Sequence, residues 1–254
     1  MAEGAWHRLE LPQPEAAPRE MVWLHGWGLS GASLERLARL FAAKAQTAVF
    51  DQPGFGATPR LFDGAGSADY ADALAAQLSP ADRSRILIGH SFGARVALYA
   101  AARHPDKVAA LVFIAGAGLP KRRGLVWKLR AAALRGLGRL AGLADRLFGG
   151  NLKTAYAARF GSPDYRRAGP LRATFVAVVN EDLSDLARQV TVPVLLIYGS
   201  HDSETPPESG RRYDALFPDS ELHVLEGFGH LDILDRGAFQ CQALIDRFLE
   251  RHGL

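Results

Sequence analysis

Arg85-Ile86-Leu87-Ile88-Gly89-His90-Ser91-Phe92-Gly93-Ala94 is the stretch on which the reading of this chain turns. The apolar run ending at Ile88 has the length of a strand and is bounded by glycine. Beyond it, Ala94 to Ala102 is rich in alanine, the residue most favourable to a helix. Ser91 therefore sits in a tight turn between a strand and a helix. Gly89 and Gly93 flank it, and small residues there let the two elements approach closely. Such a turn strains the serine backbone and pushes its hydroxyl clear of the sheet.

A serine hydroxyl is a weak nucleophile at neutral pH. It needs a histidine to take its proton and a carboxylate to orient that histidine. Both follow in the sequence. The run Val194-Leu195-Leu196-Ile197-Tyr198 reads as a buried strand, and Gly199-Ser200-His201-Asp202 comes directly after it. A second run, Leu222-His223-Val224-Leu225, leads into Glu226-Gly227-Phe228-Gly229-His230. Asp202 and His230 are thus placed just past the carboxyl ends of strands, where open α/β sheets collect ligands and reacting groups. A third run, Val22-Trp23-Leu24, opens into His25-Gly26-Trp27-Gly28. A glycine-rich turn there can aim a backbone N–H at a developing oxyanion. Trp27 is the candidate for that donor, with the N–H of Phe92 as the second.

With these motifs in hand the chain resembles an α/β-hydrolase of the single-domain kind with a helical cap. The resemblance rests on His25-Gly26-Trp27-Gly28, Asp51-Gln52-Pro53-Gly54-Phe55-Gly56, the Ser91 turn, Gly199-Ser200-His201-Asp202 and Gly229-His230, which span residues 22 to 231. His25-Gly26-Trp27-Gly28 with Pro53-Gly54-Phe55-Gly56 is also similar to the carboxylesterases that demethylate pimeloyl-carrier-protein esters. Where the family often has serine after its second glycine motif, Ala57-Thr58 stands here. The resemblance implies a serine hydrolase that cleaves carboxylic esters through Ser91, His230 and Asp202 by way of an acyl-enzyme, with no cofactor. C–C bond, amide or thioester hydrolysis and acyl transfer use the same residues and stay open. A non-catalytic binding protein on the same scaffold is the remaining alternative. Serine at the turn argues against the dehalogenase and epoxide hydrolase relatives, which carry aspartate there.

The expected fold is a mainly parallel, twisted sheet with helices on both faces, because strand and helix candidates alternate along the chain. Strands are expected near 6–11, 21–24, 47–50, 86–89, 109–114, 193–198 and 221–225. Helices are expected near 33–43, 68–79, 92–103, 207–216 and 237–251. The alternation fails between about Leu119 and Leu186, which offers helical stretches and no strand. The core is therefore expected at 1–118 and 187–254, with 119–186 inserted as a helical cap. Within the insertion, Val126, Leu129, Ala133, Leu137, Leu140, Ala144 and Leu147 recur at helical spacing, while Gly136, Gly138 and Gly142 weaken the helix.

At 254 residues and 48% hydrophobic content, one domain with a modest insertion is the natural size. The overall charge of +3 hides a strong separation. Residues 121 to 172 hold 13 Lys and Arg against two acids, a net of +11, and the rest of the chain holds 17 basic and 25 acidic residues, a net of −8. Besides a solvated surface, a basic cap suits an anionic substrate, an acidic carrier protein or an anionic membrane surface. Nucleic acid is not expected, since the acidic body would repel it. A small-molecule ester is the expected substrate, and a monomer or homodimer the expected state. The N-terminal residues lack the pattern of a signal peptide. Cys241 is the only cysteine, which makes the cytoplasm the expected compartment and a buried thiol its expected state.

Several rivals compete for these roles. Glu204 and Asp232 are alternatives to Asp202. His25 reads as part of the oxyanion turn, and His90 is expected to point away from the serine. His201 adjoins Asp202 in sequence, which leaves that acid badly placed to aim it, and His223 lies inside a strand. Asp51 precedes a Pro-Gly turn and is expected to hold loop backbone. There is no H-E-x-x-H, no cysteine pair and no phosphate-binding loop, so no metal is expected.

Overall fold

Apolar residues fill both faces of the central strands, and this decides the layering. The computed structural model describes residues 4–12, 17, 19–78, 84–120, 125–152 and 163–254, without the side chains of 125–132, 135, 163 and 164. Seven strands form one sheet: β1 (Arg8–Leu9), β2 (Arg19–Leu24), β3 (Gln46–Phe50), β4 (Ser84–His90), β5 (Ala110–Ile114), β6 (Val194–Gly199) and β7 (Ser220–Leu225). Their order is β1-β3-β2-β4-β5-β6-β7. Only β1 runs antiparallel to its neighbour; every other pair is parallel. Helices α1 (Glu35–Arg39), α2 (Ser67–Ala75), α3 (Phe92–Arg103), α8 (Pro207–Asp214), α9 (Asp232–Asp235) and α10 (Ala238–Arg251) belong to the body. Between β5 and β6 come α4 (Leu125–Phe148), α5 (Pro163–Arg167), α6 (Arg172–Val179) and α7 (Ser184–Ala187).

Successive side chains of a strand point to opposite faces. Val22, Leu24, Leu87, Leu111, Phe113, Leu196 and Tyr198 pack on one face with Leu74 of α2, Leu98 of α3 and Tyr213 of α8. Met21, Trp23, Ile86, Ile88, Val112, Ile114, Leu195 and Ile197 pack on the other with Leu37 of α1 and Ile245 and Phe248 of α10. This two-sided burial is why β2, β4, β5 and β6 read as near-continuous apolar runs. β7 is only half-buried along its length, as an edge strand should be.

The expected strands all form, although the first shrinks to Arg8–Leu9. The helix expected over 33–43 begins instead as a 3₁₀ turn at Gly31–Leu34 and is α-helical only to Arg39. The short α9 was not expected, since four residues carry no periodicity. Glycine does not interrupt α4, which runs unbroken over 24 residues. Its Leu137, Leu140, Leu143, Leu147 and Phe148 are nevertheless exposed, so this part of its apolar stripe is not in the core. The side chains of the expected positions Val126 and Leu129, and that of Arg135, lie outside what the structure describes. Among the described residues, no helix is long and apolar enough to cross a membrane.

Candidate active site

The turn after β4 has the geometry its sequence demands. Ser91 has φ 51° and ψ −108°, a conformation that is costly for any residue with a Cβ. The flanking glycines make it possible. A Cβ on Gly93 would lie 2.0 Å from the carbonyl oxygen of Leu24, and one on Gly89 would lie 2.4 Å from the nitrogen of Ala94. The Ser91 N–H donates to the Ile114 carbonyl at 3.2 Å, and the Ser91 carbonyl accepts from Ala117 N–H at 3.2 Å. The strained residue is thereby tied to the end of β5. Ala115, at the same level, also has a positive φ of 49°.

Asp202 and His230 come together across the ends of β6 and β7. Asp202 Oδ2 lies 2.7 Å from His230 Nδ1, and the carboxylate side chain is fully buried. Its other oxygen, Oδ1, accepts the N–H groups of Glu204 at 2.7 Å and Thr205 at 2.9 Å. The Thr205 hydroxyl lies 2.8 Å from Asp202 Oδ2, 2.9 Å from the Ala115 carbonyl and 3.2 Å from His230 Nδ1. Burial works against ionisation of Asp202. The His230 hydrogen bond and charge and the Thr205 donors together outweigh it, so the carboxyl titrates below its usual range. With an anionic acceptor on Nδ1, the imidazole carries its proton there and leaves Nε2 as the basic nitrogen.

Ser91, His230, Trp27 and Phe92 line one cavity of about 1110 Å³. Body residues such as Phe55 form part of its wall, and Leu171, Phe175, Val178 and Val179 from the insertion form another. Among the described residues no hydrogen bond links the Ser91 hydroxyl to His230. Instead Glu204 Oε2 stands 3.5 Å from His230 Nε2, on an exposed side chain. Such bonds are often long or absent before substrate arrives.

The loop after β2 is built around Trp27. Leu29 N–H donates to the Gly26 carbonyl at 3.2 Å, closing a turn whose third residue, Gly28, has φ 74°. That conformation suits glycine and fixes the peptide before it. His25 braces the turn from inside: Nδ1 donates to the Gly26 carbonyl at 2.8 Å and Nε2 accepts the Gln52 N–H at 2.9 Å. Burial lowers its pKa against the opposing effects of the Gly26 carbonyl and Asp51, and an Nε2 that accepts the Gln52 N–H belongs to a neutral ring. The Trp27 ring packs on Phe55, Phe92 and Phe175 at 5.0, 5.5 and 5.2 Å between centroids. Phe92 is the first residue of α3, where an N–H has no acceptor within its own helix.

Asp51 stays out of the cavity. Its carboxylate accepts Gly31 N–H at 2.7 Å, Ala57 N–H at 2.9 Å and contacts His7 Nδ1 at 2.9 Å. Burial opposes its ionisation, yet these partners hold its pKa below normal. The departure at Ala57-Thr58 is accommodated, because the Thr58 hydroxyl donates to the Asp51 carbonyl at 2.7 Å and accepts from His7 N–H at 2.9 Å. Cys241 is buried, and burial pushes its thiol up to about 12. Asp232 Oδ1 accepts Gly229 N–H at 2.6 Å, and its Oδ2 accepts from Arg236 at 3.0 Å. Among the described residues no group of His, Cys, Asp and Glu could hold a metal ion.

A family model described as the alpha/beta hydrolase family matches residues 21–240. The chain belongs to the alpha/beta hydrolase family. Among the curated relatives of this hydrolase is a pimeloyl-[acyl-carrier protein] methyl ester esterase of Neisseria meningitidis, 32% identical, with 92% of this chain and 94% of the relative covered. A protein of the same name from Chromobacterium violaceum is 31% identical over 89% of this chain and 93% of its own. A lipase-esterase related protein from Clostridium acetobutylicum superposes with a TM-score of 0.69 at 18% identity, covering 96% of this chain and 100% of the other. A thermophilic esterase from Thermogutta terrifontis gives 0.65 at 19% identity, covering 97% and 99%. At those identities the two structures speak only to the fold.

One neighbour of the hydrolase's candidate site, Thr205, was not read from the sequence. Thr205 touches both Asp202 and His230. The signal was present, since an aspartate readily accepts N–H groups two and three residues on. His90 is among the residues lining the cavity, and its ring lies tilted beside that of His230 at 4.8 Å between centroids.

Proposed function

We propose that this protein hydrolyses carboxylic esters, with Ser91 as nucleophile, His230 as general base and acid, and Asp202 orienting and stabilising the imidazolium. The observation that carries the proposal is the 2.7 Å contact between Asp202 and His230 on the wall of the cavity that Ser91 lines from its strained turn. Ser91 Oγ adds to the ester carbonyl as its proton passes to His230 Nε2. The N–H groups of Trp27 and Phe92 receive the oxyanion. His230 gives the proton to the departing alcohol and leaves an acyl-Ser91. Water repeats the sequence, releases the acid and restores the serine. The helices of 119–186 serve as a cap that lines the entrance.

The relatives' names and the net +11 over residues 121–172 support a finer reading, in which the ester is presented by an acidic carrier protein at the cap. A fluorophosphonate probe tests the core of the proposal. It should label the wild-type protein stoichiometrically and leave Ser91→Ala unlabelled. An unlabelled wild type that is fully folded, and inert toward activated esters, would return the chain to a binding role.

A further inference from the structure

Arg95 stands one helical turn past Ser91 on α3 and lines the same cavity. Four residues of helix separate the two Cα atoms by about 6 Å along the axis. Long side chains lean back toward the start of their helix, here toward Ser91. The residue is 9% exposed. Burying a guanidinium is costly unless its donors are used, and these are hardly used. Among the described residues its one ion pair is a long one. Its nearest charge is Glu181, whose Oε2 lies 3.5 Å from Nη1, and neither of those two atoms has a hydrogen-bond partner. Glu181 is held from the other side, where its Oε1 accepts the Ser67 N–H at 2.8 Å. Guanidinium has five donors and stays charged at any working pH. A single carboxylate oxygen at 3.5 Å is weak compensation for them.

The remaining charges give the cavity a direction. Among the described residues Glu204 is the acid in its lining, and it stands at the His230 end, while Glu181 lies behind Arg95 outside that lining. Phe92, Phe175 and Val178 supply apolar wall. Arg60 is committed to Asp63, and Arg167 is exposed. A ligand with one anionic end is thus repelled by Glu204 and drawn to Arg95.

We propose that Arg95 is a specificity-determining residue that binds an ionised carboxylate carried by the substrate while the reacting ester carbonyl lies at Ser91. The substrate class is a half-ester of a short dicarboxylic acid. The planar fork of the guanidinium matches a carboxylate in two parallel hydrogen bonds. This rests on the reading of the Ser91 cavity as an ester-hydrolysing site, and it adds a group inside the cavity that favours one ester over another whether or not a carrier presents it. The alternative is that Arg95 and Glu181 do no more than tie α3 to the segment after α6.

Calorimetric titration of the full chain with glutarate separates the two, together with kcat/KM for monomethyl glutarate and for its neutral isostere methyl valerate. Glutarate should bind the wild type. Arg95→Gln should weaken it at least tenfold, and Glu181→Gln should tighten it, because the competing carboxylate is gone. The ratio of kcat/KM for half-ester over isostere should fall at least thirtyfold in Arg95→Gln, mostly through KM. Arg95→Lys should retain part of it. A tie between elements would make the Arg95 and Glu181 variants equally harmful, and that result, or a folded wild type indifferent to glutarate, overturns the proposal. Should Arg95→Gln fail to fold, the opposite signs expected of Arg95→Lys and Glu181→Gln decide alone. Binding of glutarate through Arg95 without turnover of either ester would sink ester hydrolysis and leave the carboxylate site standing. Turnover of methyl valerate with no glutarate binding would do the reverse.

Discussion

His90 Nε2 lies 3.0 Å from the backbone carbonyl oxygen of His230, and the two rings stand 4.8 Å apart. His90 is buried, so its ring donates that bond as a neutral imidazole. Among the described residues its Nδ1 has no hydrogen-bond partner. Burial, followed by the charge of His230, lowers its pKa to about 3. The loop that carries His230 is therefore held from below by a histidine that stays uncharged over the working range.

This has a sign in stability. The folded chain refuses a proton at His90 that the unfolded chain accepts near pH 6.5. Stability from this group is full above that value and is lost as pH falls toward 3. Between pH 7.5 and 5 the loss is about 2 kcal/mol for one such group. In urea titrations, His90→Gln should shrink the difference in unfolding free energy between those two pH values by about that amount. An unchanged difference would mean that His90 accepts a proton in the folded state. His25, Asp51 and Asp202 also titrate below their usual ranges and act in the same direction, the two carboxylates at lower pH.

The proposed roles of Ser91, His230 and Asp202 predict a strongly non-additive series. Ser91→Ala, His230→Ala and Asp202→Asn should each lower ester turnover by roughly three to six orders of magnitude, and the triple variant little further. Melting curves should show all of them folded. The acid is assigned wrongly if Asp202→Asn keeps near-normal turnover while Glu204→Gln or Asp232→Asn loses it.

Thr205 positions rather than reacts. Its hydroxyl reaches Asp202, the Ala115 carbonyl and His230 at once. Thr205→Val keeps the shape and leaves a buried acceptor unpaired, at about 1–3 kcal/mol. We expect kcat to fall about tenfold, with KM little changed and Thr205→Ser restoring most of the rate. Equal falls in Val and Ser variants would point to packing instead.

The fold was legible because the physics that builds it is local. β2, β4, β5 and β6 must be apolar on both faces, and such runs stand out between glycines. The turn at Ser91 was legible for a like reason, since only small residues fit beside Leu24 and Ala94. Asp202 and His230 were legible as strand-end residues, but their meeting is a matter of two separate loops. Other features were hidden because they arise between distant segments. Arg95 reads as one more helical residue until the cavity wall is assembled around it. Glu204 is close to His230 only by the path of its loop. Leu137, Leu140 and Leu147 follow a helical stripe that would normally signal burial, yet they are exposed. Periodicity reports that a face is apolar and is silent on what covers it.

The charge separation leads to a prediction about salt. The stretch 121–172 carries +11 and the rest of the chain −8, and Arg167 from that stretch lines the cavity entrance. A field of this kind raises the encounter rate of an acidic partner and does little for a neutral one. Salt shortens its reach from about 10 Å at 0.1 M to about 3 Å at 1 M. For an ester linked to an acidic carrier, kcat/KM should therefore fall steeply with salt, and for a small neutral ester it should stay nearly flat. Replacing Arg135, Arg139 and Arg146 together by Gln should lower the carrier-linked value at low salt and flatten its salt dependence, without changing kcat for the neutral ester. Flotation with anionic liposomes belongs in the same experiment, because an amphipathic basic helix can also lie on a membrane. Salt responses that match for the two substrates, with no effect of the triple replacement, would reduce the basic stretch 121–172 to a solvated surface.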